Sequence, residues 1–313
     1  MKGHGRAYAA LFVSAMGWAL APVFIRYLSA HYDPYTQSFV RYISAAVALV
    51  PWCVCRYPGE LRRALARWRA LAAIALLVVF MQTAWTVAIY HTTATAAQLI
   101  CKLQVPMVIL MSYLVFREER FVILSFRFLG GTVLALAGVT GVLMRDPSVR
   151  WFPALDLAFA LLMFVNVCWS VYIVGSRHTC KDLHPVPMFT VVAVMVSIGF
   201  LPVMLLKGDT ASIAAAGAWV GGIAFLSGMV SISMAHCAFH YAQVRLGAAF
   251  CTSLQLANPL ATYLVALFLW PDEALNALQW AGAVVLVLGS ILVVDAQRRA
   301  GLAQPSADVN AAP

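Results

Sequence analysis

Charge is scarce in this chain of 313 residues. Only 12 are Asp or Glu, charged residues of both signs make up 11%, and hydrophobic residues make up 63%. An average soluble domain carries roughly 25% charged residues, so a soluble fold would have almost nothing with which to cover its surface. No carboxylate falls deep within an apolar stretch, where a proton-driven pump usually places an Asp or Glu relay. A phosphate-binding loop is missing as well, which removes ATP as the driver. For a chain that moves solutes, these absences would leave downhill export, facilitated passage or exchange, with histidine-coupled proton antiport as a lesser option.

Metal and cofactor chemistry find little support. His236 and His240 stand one helical turn apart in His-Cys-Ala-Phe-His, but the Glu of the zinc-protease motif is absent and no third ligand is evident. Both are read as histidines near the cytoplasmic end of a helix, and neither a metal nor a cofactor is expected. The seven cysteines are an odd count. Cys101, Cys168, Cys237 and Cys251 lie within apolar runs and read as small packing residues rather than a disulfide framework.

What the chain does have is ten apolar stretches, over 7–29, 35–55, 70–90, 95–116, 126–144, 153–175, 186–206, 217–241, 247–270 and 275–295. Each is near the roughly 20 residues that a helix needs to cross a hydrocarbon core about 30 Å thick. The first is too long for a signal-peptide core and reads as a retained helix. The second five repeat the first five at an offset of about 151 to 154 residues: Trp18 and Arg26 recur as Trp169 and Arg177, Pro106 and Glu119 as Pro259 and Glu273, and Gly131 with Gly138 as Gly282 with Gly289. An odd number of spans per copy turns the second copy upside down, and inverted repeats of this kind build secondary transporters. The expected fold is therefore all-α and integral to the membrane, with ten transmembrane helices. Residues 1–146 form the first five-helix repeat, 147–295 the second, inverted repeat, and 296–313 a disordered cytoplasmic tail.

The net charge of +9 reads as topology rather than nucleic-acid binding. With a cytoplasmic N-terminus, that side receives fifteen basic residues: Lys2, Arg6, Arg56, Arg62, Arg63, Arg67, Arg69, Arg117, Arg120, Arg127, Arg177, Lys181, Arg245, Arg298 and Arg299. The other side receives four, Arg26, Arg145, Arg150 and Lys207. This positive-inside bias places a multi-pass protein in the inner membrane with both termini cytoplasmic. Its partners are then a small-molecule substrate and membrane lipid, with room for a homodimer.

Gly17-Trp18 in the first span, Arg41 early in the second, Pro106 in the fourth with Glu119-Arg120 thirteen residues on, and the glycine-spaced fifth span together resemble the drug/metabolite transporter superfamily. Within it the match is to the EamA-type branch of ten-helix transporters. The resemblance covers about 7–295 and occurs twice, the second time as Asn258-Pro259, Glu273 and Gly282 to Gly289. It implies a transporter rather than an enzyme, similar to proteins that move amino acids, metabolites, nucleotide-linked sugars or drugs, commonly outward. The second copy departs from the pattern at Trp270-Pro271-Asp272-Glu273, where the family usually has a glycine before the acid.

Pro106 and Pro259 sit mid-span and lack the amide hydrogen that would bond the carbonyl four residues earlier, those of Lys102 and Gln255. Two helix breaks at equivalent places point to spans four and nine as the lining of a central path, the alternative being kinks that only shape packing. Lys102 lies about 10 Å below the outer end of its helix, where an ammonium costs a few kcal/mol. An anionic substrate group would explain it, with Gln98 one turn above and Pro106 one turn below. Snorkelling or a structural ion pair are the alternatives. Arg41, at similar depth, is a ligand or a scaffold residue, and Asp156 could neutralise either cation. Trp18, Trp85, Trp169 and Tyr263 are candidates to stack on substrate, or ordinary packing aromatics. Trp52, Trp68, Trp151, Trp219, Trp270 and Trp280 read as interfacial anchors. Gly217 and Gly221, with the glycines of spans five and ten, are expected to let helices approach closely, and Glu119 and Glu273 to fix loops. The function that follows is export of a small organic solute with an anionic group, such as an amino acid, by alternating access through a central cavity. The rivals are a flippase for lipid-linked head groups, which needs a lipid-sized lateral groove, and an intramembrane enzyme, which needs a nucleophile and base.

Overall fold

The computed structural model describes residues 2–92, 94–143, 157–269 and 277–303, and among them every element is helical. The first half contains α1 (Lys2–Leu28), α2 (Pro34–Arg56), α3 (Pro58–Ala66), α4 (Trp68–His91), α5 (Ala94–Ile100), α6 (Gln104–Val115), α7 (Arg120–Ile123) and α8 (Phe126–Leu143). The second contains α9 (Leu157–Cys180), α10 (Pro185–Lys207), α11 (Ala211–Ala215), α12 (Gly217–Ser227), α13 (Ala235–Leu246), α14 (Ala248–Leu254), α15 (Asn258–Leu269) and α16 (Ala277–Ala303). Seven helical stretches are long and apolar enough to cross a membrane; of three shorter apolar ones, Cys101–Val115 and Phe126–Gly138 lie between them and Trp280–Val293 follows the last. The outward surface is apolar: Leu76, Phe80, Leu110, Phe126, Leu206 and Phe268 are exposed, as lipid-facing side chains are. Helix α16 runs on to Ala303, so the tail expected from 296 begins as helix; Asp156, Trp151, Trp270 and Glu273 lie outside the described residues.

The closest helix packing is between the halves rather than within them. Helix α16 packs on α8, α4 on α9, α10 on α2, and α13 on α1, and among the looser contacts are α6 on α9 and α15 on α1. Exchange the halves, and each pairing maps onto itself or onto another of the set: α4 with α9 becomes α13 with α1, and α6 with α9 becomes α15 with α1. The packing is thus symmetric under exchange of the halves.

The tightest crossing explains the repeated glycines. A Cβ built on Gly138 would stand 2.2 Å from the Leu286 nitrogen, and one on Gly289 would stand 2.4 Å from the Ala135 nitrogen, so α8 and α16 touch backbone to backbone. The same role does not hold for Gly217 and Gly221. Neither has any atom near the place a Cβ would take. Gly217 instead supplies the positive φ of 74° that lets α11 turn into α12.

Two interrupted spans set up the interior. Helix α5 passes into α6 through a 3₁₀ turn at Cys101–Leu103, and α14 passes into α15 through a 3₁₀ turn at Gln255–Ala257. Both lie just before the prolines. Between α12 and α13 the chain also winds into a seven-residue π-helical segment, Gly228–Met234, for which the sequence carries no proline signal.

Polar groups tie the halves together at both ends. Glu119, just beyond α6, is buried, forms an ion pair with Arg177 of α9 and accepts hydrogen bonds from the Ala248 and Ala249 amides at 2.9 and 3.0 Å. It thus caps α14 of the other half, a longer-range job than fixing its own loop. Arg177 also lies over the Phe116 ring at 4.2 Å. At the opposite end Asp33 caps α2 through the Tyr35 and Thr36 amides and accepts from the Asp209 amide at 2.8 Å.

Candidate functional site

A cavity opens at the centre of the bundle, where the two 3₁₀ turns, the π segment and the middles of α1, α2, α4 and α9 converge. Its wall includes Trp18, Arg41, Trp85, Gln98, Lys102, Trp169 and Gln255, seven of the residues expected from sequence. The eighth, Tyr263, is buried in α15 but does not reach the cavity. More than a turn separates it from Asn258, which stands at the cavity end of that helix.

The breaks before Pro106 and Pro259 work differently from the expectation that they leave open carbonyls. The Gln104 amide bonds back to the carbonyls of Cys101 and Lys102, and the Asn258 amide bonds to that of Gln255. Tightening to 3₁₀ geometry recovers the acceptors that proline orphans. The cavity therefore receives the side chains of Lys102 and Gln255. Two hydrogen bonds hold the turn in place: across the halves Asn166 of α9 donates to the Ile100 carbonyl at 3.0 Å, and within the first half Gln98 donates to the Trp18 carbonyl at 2.9 Å. Gln255 reaches Ser14 of α1 and accepts from Asn258.

The charge balance of the wall is one-sided. Arg41 and Lys102 are each only 3% exposed, so neither snorkels to a surface. Arg41 donates from Nε to Ser227 Oγ at 2.8 Å. Neither cation has a carboxylate within ion-pair distance among the described residues, and the cavity is lined by no Asp or Glu. Burying a charge without a partner is costly, and a bound anion is one way to meet that cost. Trp18 and Trp169, equivalent in the repeat, meet edge to face with ring centroids 5.0 Å apart.

Sequence reasoning missed His236, Ser231, Gln82, Gln104 and Asn258 in the wall. His236 and His240, read alike from sequence, have separate roles. His236 lines the cavity, stacked on Phe189 at 4.5 Å between centroids. His240 lies deeper in a polar chain, 2.7 Å from Tyr172 Oη and accepting at Nδ1 from Gln243 at 2.8 Å. The only sequence signal for either was their spacing. It placed them near a helix end, whereas both are buried.

The EamA-like transporter family model matches the chain twice, over residues 5–144 and 156–295. The chain belongs to this family. The two matches start 151 residues apart, 156 less 5, at the offset of the internal repeat. An uncharacterized transporter of Haemophilus influenzae is 21% identical over 293 residues, covering 88% of this chain and 92% of that protein. Another from Archaeoglobus fulgidus is 23% identical over 302 residues, covering 95% and 100%. A solved crystal structure, described simply as that of a protein, superposes with a TM-score of 0.75 at 15% identity, covering 95% of this chain and 99% of that one. At that identity the likeness carries the fold alone. The family is part of the drug/metabolite transporter superfamily, and the names of both relatives describe transporters rather than enzymes. With its long apolar helices, the chain is a multi-pass membrane protein.

Proposed function

We propose that this protein exports small organic solutes bearing an anionic group, such as amino acids or related metabolites. Its two halves, one inverted against the other, exchange access to the central cavity across the inner membrane, with both termini in the cytoplasm. One observation carries the substrate class: Arg41 and Lys102 are buried in the cavity wall, and no described carboxylate faces them. A carboxylate or phosphate oxygen there gains charge-assisted hydrogen bonds. The exchange-symmetric packing of the halves supports the rocking motion, since equivalent contacts can form in turn on either side.

Size supports a small solute. The cavity has a volume of about 80 Å³, against roughly 10–15 Å³ for one water. A second concavity lies between α2 and α10, lined by Ile43, Val47, Val50, Ile198 and Leu201, with Ser197 its one polar residue. It shares no residue with the central cavity. A flippase route needs polar groups for the head group continuous with a lipid groove, and among the described residues this surface offers only Ser197, which favours the soluble substrate. Uptake and efflux by the purified protein in liposomes, against a metabolite panel, tests the proposal. Saturable movement of anionic solutes is expected, and its absence for every anion tested would overturn the assignment.

A further inference from the structure

The same cavity also carries unpartnered acceptors. His236 Nδ1 lies 3.0 Å from the Ile232 carbonyl oxygen, and a carbonyl can only accept, so Nδ1 holds the hydrogen. In the neutral imidazole the other nitrogen is then an acceptor. That nitrogen, Nε2, is buried and has no partner, as is Asn258 Oδ1 on the same cavity wall. The ring is locked: it stacks on Phe189 with 11° between planes, and Trp18 and Trp169 stand at 5.1 and 5.8 Å. A buried acceptor with nothing to accept from is a costly feature in a protein. Trp18 and Trp169 stand beside the ring, and indoles attract a cation.

We propose that His236 reads the amino group of the substrate: Nε2 accepts a hydrogen bond from an ammonium held beside Trp18 and Trp169, while Lys102 and Arg41 take the anionic end. The inference rests on the anionic-substrate reading of this cavity and narrows it to amino-carboxylates. Repulsion by the two cations orients the zwitterion, since its ammonium is driven from their side to that of the histidine. His240 cannot substitute, because both of its ring nitrogens are already engaged.

The test uses purified full-length protein in liposomes and several amino acids, each paired with the acid of the same skeleton that lacks the amino group, leucine with isocaproate being one pair. Wild type is expected to carry the amino member at least about tenfold better, the worth of one charge-assisted hydrogen bond. His236→Phe keeps the stack on Phe189 but removes the acceptor, and should bring the ratio of amino to deaminated member near one. His236→Gln returns an acceptor oxygen and should restore part of the ratio; His236→Leu serves as the acceptor-free variant if Phe does not fold. Equal transport within every pair by wild type overturns the inference with no variant needed, as does a ratio unmoved in the acceptor-free variants. If Lys102→Gln leaves both members unaffected while His236→Phe still collapses the ratio, the amino subsite stands and the anion assignment falls. Should wild type carry no member of any pair, both fall.

Discussion

Replacing Lys102 with Gln keeps much of the length of the side chain and its ability to donate, and removes one charge from a wall that holds two. In the wild-type cavity the ammonium is 3% exposed and faces no described carboxylate, and on the proposed function a substrate carboxylate is its counter-ion. A hydrogen bond to a charged group is worth about 1.5 to 3 kcal/mol, which converts to roughly a tenfold to hundredfold loss of affinity for an anion. Stability should move the other way or hold still. An unpartnered buried charge disfavours the empty folded state, and Gln relieves it. The assay is efflux of a carboxylate-bearing solute from liposomes, beside thermal unfolding of the same two preparations in detergent. Transport within about twofold of wild type, only some 0.4 kcal/mol, would refute the assignment of Lys102 to the substrate. A large drop in unfolding temperature would show instead that Lys102 is structural.

Other parts of the account can be checked separately. Glu119→Ala leaves Arg177 buried without its carboxylate and α14 without its cap, so the unfolding free energy should fall by about 3 kcal/mol or more, and Glu119→Gln, which keeps an acceptor for the amides, should lose less in the same melts. Gly138→Val drives a side chain into the backbone of α16 and should cost about 3 kcal/mol, whereas Gly221→Ala, with open space around it, should stay within about 0.5 kcal/mol of wild type. His240→Leu breaks the chain through Tyr172 and Gln243 and should lower stability by about 1 to 3 kcal/mol, while leaving the ratio of amino to deaminated substrates intact. Burial raises the Asp33 carboxyl, but hydrogen bonds from Thr36, the Asp209 amide and the Tyr35 amide outweigh it and hold the group below the usual carboxylate range. Its contribution is present at neutral pH and lost as pH falls through that lowered value, so Asp33→Asn should flatten the acid side of the stability profile.

Much of the fold was legible because a membrane restricts the options. Seven helical stretches long and apolar enough to cross a membrane, and three shorter apolar ones, coincide with the apolar runs, with ends displaced by a few residues, as at α9, which continues to Cys180. The repeat was legible through residues that the two copies must share: Gly138 and Gly289 are kept free of side chains because the two helices touch there. Trp52, Trp68, Trp219 and Trp280 are exposed near span ends, as anchors require. The candidate site was partly legible, since a buried cation and paired prolines are rare enough in apolar helices to stand out. His236 did not stand out. Histidine spacing alone cannot distinguish a cavity wall from a helix end, and the π segment that precedes it has no proline to announce it. Tyr263 misled for the complementary reason: an aromatic in a span adjoining the site is as easily packing as wall.

Wild-type protein in liposomes loaded with amino acids and with their amides, in which an uncharged carboxamide replaces the carboxylate, should release the carboxylate-bearing forms at least about tenfold faster, in a saturable manner. Equal or faster release of the amides, or movement of labelled lipid head groups in place of any solute, would contradict an exporter whose cavity holds Arg41 and Lys102 for an anion.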